Sequence, residues 1–528
     1  MPPPNDLAHQ EHDTAGDPDA AAAPPEVPTA SPSVVEEDDR AIRRQCRRVL
    51  SVTTLGLMLV LMTGTSVTVA LPEMSAAFRV ASSTADWFVV SFMLANTASI
   101  LVFGRISDLI GRKRLYLGGL AVFTVVSLLC PLADNSTTMI VLRVLQGIAA
   151  ATTVSNTTAL IADSFPPHRL TFGLSMNVTA AAVAHTVGPA VGGVLITAFD
   201  WRAIFLMNVP FGIAAIVWGS RVLQKAPRRT GTREPFDLQG AVLSTAGMVS
   251  LLVAINRAST WGMADPRTLG LAAAGVALLG LFARTETRSP APLVDLMLIR
   301  DAARACAYGA AFFNSLTRAG VTVLVVLHLQ VTLQRTAAEA GLVLLAMGVA
   351  TVAGSPVGSW LSRDWSARAL STTGSVVILA GLAGVLVTVA HPHAPLWATG
   401  GALAAVGWGV GLFAAPNTAA IMAGVDRDRR ATASGVRAML FNGGQAVGTA
   451  VTLLILNSWL ARSGVETYAA GAGRDASSWG SLIALMLLMA ANAASLALSI
   501  LRGGPWRTPR RSSPVDAAGH PDVPGQAQ

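Results

Sequence analysis

A chain of 528 residues that is 52% hydrophobic and only 13% charged, with a mean hydropathy of +0.53, is not an ordinary soluble protein; such domains carry roughly 25% charged residues. The formal charge of +8 is arginine in short loops, with lysine only at Lys113 and Lys225, and not a basic face interleaved with aromatics, which argues against nucleic-acid binding. Three isolated cysteines, Cys46, Cys130 and Cys306, have neither disulfide nor metal-ligand spacing and read as apolar filler.

The first 40 residues are rich in Pro, Ala, Asp and Glu and lack an apolar run, so residues 1–45 are expected to form a disordered cytoplasmic tail. The cluster Arg40, Arg43, Arg44, Arg47, Arg48 precedes a stretch long enough to cross a bilayer, and no cleavable signal peptide is expected. A spanning helix needs roughly 20 mostly apolar residues to cross about 30 Å of hydrocarbon. Fourteen stretches meet that need. The first seven are Leu50 to Leu71, Thr84 to Phe103, Leu115 to Ala133, Met139 to Ile161, Phe172 to Phe199, Ile204 to Val222 and Leu238 to Ile255. The rest are Arg267 to Ala283, Cys306 to Leu329, Ala340 to Leu361, Leu370 to Ala390, Leu396 to Met422, Ala433 to Trp459 and Trp479 to Leu501. Basic clusters follow the even-numbered spans, for example Arg112, Lys113, Arg114 and later Arg427, Arg429, Arg430. Arginine and lysine in short loops mark the cytoplasmic side, so an even count puts both termini in the cytoplasm.

Three segments carry more than hydrophobicity. Between spans two and three, Gly104, Arg105, Asp108, Gly111 and Arg112 place two glycines and a carboxylate among basic side chains, either a charge-assisted latch or an ordinary solvated loop. In span four, Arg143, Gln146, Thr153 and Thr157 share one helical face. Insertion scales charge an arginine about 2.5 to 3.5 kcal/mol at mid-depth, so Arg143 either serves a polar cavity or snorkels to the interface. In span five, Gly188, Pro189, Gly192 and Gly193 permit a kink packed tightly against another helix. The run Gly407-Trp408-Gly409-Val410-Gly411 lies inside an apolar span and not after a strand, so it is no dinucleotide fingerprint, and no phosphate-cradling loop exists.

Together these three segments resemble the signature motifs of the major facilitator superfamily, and the span count resembles its fourteen-helix drug:proton antiporter branch. Ala70-Leu71-Pro72 closing span one and the run Trp201 to Pro210 opening span six are also similar, and the likeness covers about residues 45 to 502. The resemblance implies an all-α integral membrane protein of two six-helix bundles, residues 46–225 and 305–502, with a linker of two extra helices at 226–304 and a second disordered tail at 503–528. By motif position it implies that Gly104, Arg105, Asp108, Gly111 and Arg112 form the cytoplasmic gate. It makes Arg143 the cation beside the cavity, and Gly188, Pro189, Gly192 and Gly193 the antiporter motif.

One departure matters. Where that branch commonly carries an aspartate in span one, this chain has Thr63, and no Asp or Glu lies deep in a span; Asp86, Asp163 and Glu339 sit near ends or in loops. His185 and His328 are then the titratable candidates, against the plainer reading of packed helix histidines. Arg318, Asn417, Arg437, Asn442 and Gln445 could line the cavity or bond helices together. The expectation is an ion-coupled secondary transporter of the plasma membrane that exports amphipathic or lipophilic small organic compounds by alternating access, working as a monomer with protons or another coupling ion. An importer of the same fold and a transport-dead sensor are the rivals. No nucleic-acid partner, cofactor, metal or catalytic group is expected, because no Ser/His/Asp grouping, metal cluster or redox pair is present.

Overall fold

The computed structural model describes residues 32–224, 237–289, 300–391, 393–425, 430–462, 467–468 and 474–503. The chain divides into two compact units, residues 1–45 and 46–528. In the first, residues 32–45 are helical where the sequence suggested a structureless tail. Pro32 sits at the first helical position, which tolerates its missing N–H, and no proline interrupts the chain again before Pro72.

The long helices run α1 (Pro32–Phe78), α2 (Trp87–Ile110), α3 (Arg112–Leu129), α4 (Ser136–Ser164), α5 (Pro167–Ala198), α6 (Asn208–Val222), α7 (Leu238–Trp261), α8 (Pro266–Glu286), α9 (Ala302–Leu327), α10 (Ala337–Leu361), α11 (Ala367–Ala390), α12 (Leu396–Met422), α13 (Arg430–Arg462) and α14 (Arg474–Leu501). Among the described residues, 13 helices are long and apolar enough to cross a membrane, and α2 is not one of them. Helices suit lipid because every backbone group is satisfied within the segment. Their unsatisfied ends are capped by polar side chains: Asn135 accepts from Thr138 N at 2.8 Å, Asp237 from Gly240 N at 2.7 Å, and Thr336 with Glu339 forms a capping box opening α10.

Two expected boundaries differ. Span one does not close at Ala70-Leu71-Pro72; α1 runs through Pro72 to Phe78. The run opening span six breaks into a short turn, Ala203–Leu206, before α6 starts at Asn208. Here Trp201 and Phe205, both buried, stack edge-on at 6.1 Å, and Phe78 meets Trp201 at 5.3 Å, so aromatic packing sets the corner.

Within residues 46–528, α2 packs on α4, α3 on α4 and α6, α10 and α11 on α12, and α9 on α13 and α14. The longest contacts between early and late helices are α5 along α10 and α2 along α13; Gln330, just after α9, also donates to the Val69 carbonyl of α1 at 3.0 Å. The helix α7 packs on α8, α2 and α13. The glycine run of α12 is spent on close approach, since a Cβ at Gly407 would strike the Met347 carbonyl of α10 and one at Gly409 the Gly374 carbonyl of α11.

Candidate functional site: a polar cavity between early and late helices

A small cavity lies between α1, α2, α5 and α13, lined by Gly64, Thr65, Asn96, Thr97, His185, Asn442 and Gln445 among apolar side chains that include Phe92 and Met93. Of the residues singled out from sequence, His185, Asn442 and Gln445 meet here, with the Nδ1 atom of His185 buried and without a hydrogen-bond partner. Thr65, Asn96 and Thr97 carry no sequence signal beyond being polar in apolar helices.

One wall is the glycine-proline segment of α5. A Cβ on Gly188 would meet Thr65 of α1, one on Gly192 would stand 2.7 Å from Ser66 Cβ, and one on Gly193 would strike the Ala337 carbonyl of α10. The hydroxyl of Ser66 donates to the Gly188 carbonyl at 2.7 Å. The segment therefore sits where α1, α5 and α10 come closest, with Pro189 inside the helix and its carbonyl facing Gly341 of α10.

Arg143 does not snorkel. It has no exposed surface; its Nε donates to the Phe88 carbonyl at 2.7 Å, its Nη1 donates to Gln146 Oε1, and its guanidinium stands 4.2 Å from the Phe92 ring centroid. Gln146 passes the chain on to Ser127 Oγ at 2.7 Å, while Arg143 Nη2 is buried without a partner. Phe92 is shared between this network and the cavity wall, so the cation lies one ring away from the space and not in it. Thr153, in the same helix, is fully buried with its hydroxyl unpartnered.

Other expected cavity residues lie elsewhere. Thr63 is buried against α6, its hydroxyl 2.7 Å from the Leu59 carbonyl and 3.0 Å from Asn208 Oδ1. Asn417 bonds helices: its Nδ2 donates to the Ala307 carbonyl at 2.9 Å, and Arg502 donates to its Oδ1. The Arg318 guanidinium lies 5.4 Å from the Phe441 ring, and Arg437 has a buried, unpartnered Nε. His328 begins a π-helical turn ending α9 and lines a second small cavity, with neither ring nitrogen partnered.

The segment expected as a loop between spans two and three is instead helical as far as Ile110, so Gly104, Arg105 and Asp108 lie in the last turns of α2; the side chains of Arg105 and Asp108 lie outside the described residues. Gly111 ends α2 with φ of +101°, a conformation that glycine adopts freely. Gly104, in contrast, has open space on its side-chain side, with nothing within 4 Å of where a Cβ would stand, so no close helix approach explains it. Arg112 pairs with Asp163 at the end of α4 at 2.5 Å, a partner not singled out from the sequence. Lys113 donates to the Ser220 carbonyl at 2.8 Å and to the Leu223 carbonyl, satisfying the end of α6.

The most connected polar group missed by sequence is Asp86, 1% exposed and immediately before α2. Its Oδ2 accepts from Asn457 Nδ2 of α13, and its Oδ1 from the Tyr468 hydroxyl at 2.7 Å. Burial first, and the neighbouring Asp86 carboxylate next, push the Tyr468 hydroxyl well above the usual phenol range, so it stays protonated. Asn457 and Tyr468 stand 371 and 382 positions from Asp86 in sequence, a separation that no local pattern can bridge.

The model of the family described as Major Facilitator Superfamily matches residues 53–289 and 307–524. The chain is 29% identical over 412 residues to multidrug resistance protein Stp of Mycobacterium tuberculosis, covering 78% of this chain and 76% of that one. It is 31% identical over 403 residues to cephamycin export protein CmcT of Amycolatopsis lactamdurans, covering 76% and 83%. It is 26% identical over 407 residues to the tetracenomycin C resistance and export protein of Streptomyces glaucescens, covering 76% and 74%. Among solved structures, a bacterial homolog of the human lysosomal transporter Spinster, inward-facing and unoccupied, superposes with a TM-score of 0.63 at 13% identity, covering 87% of this chain and 97% of that one.

Proposed function

Since the chain belongs to the Major Facilitator Superfamily and is a multi-pass membrane transporter rather than an enzyme, we propose that it exports amphipathic or lipophilic organic compounds across the plasma membrane, driven by protons. The observation that carries this reading is the cavity itself: apolar walls with a few amide and hydroxyl groups suit a substrate held mainly by area and oriented by hydrogen bonds. The names of the relatives, which speak of drug resistance and antibiotic export, support the outward direction.

Residues 46–225 and 305–502 act as two rocking bundles, with α7 and α8 of the 226–304 linker between them and α2 as the fourteenth crossing. Both termini lie in the cytoplasm, and the monomer is the working unit. Rocking moves α5 against α10 and α2 against α13, two places where early and late helices pack along one another. Gly188, Pro189, Gly192 and Gly193 form the low-profile seam on which α5 turns. Arg143 holds α2 to α4 through the Phe88 carbonyl, keeping Phe92 at the cavity. Gly104, Arg105, Asp108, Gly111 and Arg112 belong to the cytoplasmic gate, with Asp163 as the arginine's partner. Among the sequence candidates, His185 alone faces the cavity with an unpartnered nitrogen and can take a proton there, while Arg318, Arg437, His328, Thr63 and Asn417 support the helices around it.

The test is flux in proteoliposomes with imposed proton and sodium gradients, repeated with His185 and His328 replaced singly. Uptake into inside-out-oriented vesicles that follows the proton gradient alone is expected. Movement of substrate with the protons, or no movement of any compound under any gradient, would overturn the reading.

A further inference from the structure

At the end of the helices opposite Arg112 and Lys113, Asp86, Asn457 and Tyr468 form a closed triangle. Tyr468 has one hydroxyl proton and two acceptors, Asp86 Oδ1 at 2.7 Å and Asn457 Oδ1 at 3.0 Å. With Asp86 ionised, that proton can serve only one of them, and a buried amide oxygen goes without its donor. With Asp86 protonated on Oδ1, every atom is served. Asp86 donates to the Tyr468 oxygen, Tyr468 donates to Asn457 Oδ1, and Asn457 Nδ2 donates to Asp86 Oδ2. The geometry therefore asks for one more proton than a carboxylate, a phenol and an amide bring.

The surroundings agree. Asp86, Asn457 and Tyr468 are 1%, 4% and 4% exposed, and no ion pair to Asp86 exists among the described residues. The ionisable groups on neighbouring elements are occupied elsewhere or neutral-facing. On α7, Arg257 lies over Trp87 at 5.8 Å; on α13, Arg462 lies over Trp459 at 5.3 Å; on α4, Arg143 binds the Phe88 carbonyl. His328 lines the same small cavity as Tyr468, with both ring nitrogens unpartnered. An enclosed carboxylate with no cation is costly, whereas the neutral acid in a complete ring is not.

We infer that Asp86 is a proton-binding site shared between the early and late helices, and that binding a proton there closes the extracytoplasmic side of the transporter. The inference rests on the orientation proposed above. When α2 and α13 part, the ring breaks, Asp86 meets water and its proton leaves to solvent. When a proton returns, the ring can reform and hold the two helices together. Proton occupancy and closure are thereby linked, whichever substrate is carried.

Two measurements on the full chain in lipid test this. Infrared spectroscopy should show a carboxylic-acid carbonyl band at neutral pH that is absent from the Asp86→Asn variant and that disappears from the unsubstituted chain on alkalinisation. Identical spectra for the two would overturn the inference. For the second, spin labels go on Ser83→Cys and Thr467→Cys in a background of Cys46→Ala, Cys130→Ala and Cys306→Ala. The label separation should lengthen as pH rises. In Asp86→Asn it should stay short at every pH, because the amide donates and accepts where the protonated acid would. A pH-independent separation in the background chain, or an Asp86→Asn chain that follows pH as the background does, would equally overturn it. Neither readout needs transport. Flux that fails under every gradient, with band and labels behaving as stated, removes the proton-driven export reading and leaves this site; proton-driven flux with an unchanged band does the reverse.

Discussion

A guanidinium with no exposed surface can draw hydrogen-bond partners only from protein, and at Arg143 Nη2 goes without one. Arg143 finds the Phe88 carbonyl, Gln146 Oε1 and the face of Phe92, and through Gln146 it reaches Ser127. Replacing it with alanine leaves acceptors buried and unpaired, at about 1 to 3 kcal/mol for each. Arg143→Ala is expected to insert normally and to lower transport by at least about tenfold, which corresponds to about 1.4 kcal/mol in the barrier. Arg143→Lys should not restore activity, because a point ammonium cannot reproduce the planar fork and ring contact. Flux beside membrane-fraction yield checks both, and an active alanine variant would remove Arg143 from the mechanism. The Arg112–Asp163 pair differs in kind: its side chains are 22% and 34% exposed, so Asp163→Asn should cost no more than about 1 kcal/mol of stability by thermal unfolding.

At the scale of the helix, shape decides more than charge. Proline and glycines in α5 read from sequence as a kink or a sealing element; the structure adds that they meet α1 on one side and α10 on the other. Gly193→Val would drive a branched side chain into the Ala337 carbonyl, and overpacking of this sort costs about 1 to 3 kcal/mol. The expected outcome is a lower unfolding temperature and a loss of flux. Gly104→Ala, inside α2 with nothing within 4 Å to strike, should keep or slightly raise the unfolding temperature, because alanine favours the helix over glycine by about 0.5 to 1 kcal/mol. If the two variants unfolded alike, the seam would not be where α5 is held.

For the molecule as a whole, the expected consequence of export is that cells making the protein accumulate less of some lipophilic dye or antibiotic than cells making Arg143→Ala. Equal accumulation of every compound tested would favour the transport-dead alternative. Membrane-impermeant labelling of single cysteines placed at 40 and 503 is expected to fail in intact cells and succeed after permeabilisation, since both termini are proposed to lie inside. Labelling from outside would invert the orientation on which the extracytoplasmic site depends.

Residue types alone determined that this chain is a membrane protein, roughly where it turns, and which family's motifs it carries. Length of apolar run and placement of arginine are one-dimensional properties, imposed by the thickness of lipid and the cost of moving charge through it. The same property made Arg143 conspicuous, for a cation in an apolar helix needs no partner to be noticed. Tertiary structure alone decided which polar groups meet. Thr63 stood out only for replacing an expected aspartate and Asn417 could line the cavity or bond helices; both make hydrogen bonds between helices, and Asp86, set aside as lying near a span end, is enclosed by Asn457 and Tyr468. Hydropathy gives the depth of a side chain but not the helix it faces, and rotation about the helix axis is set by neighbours hundreds of residues away.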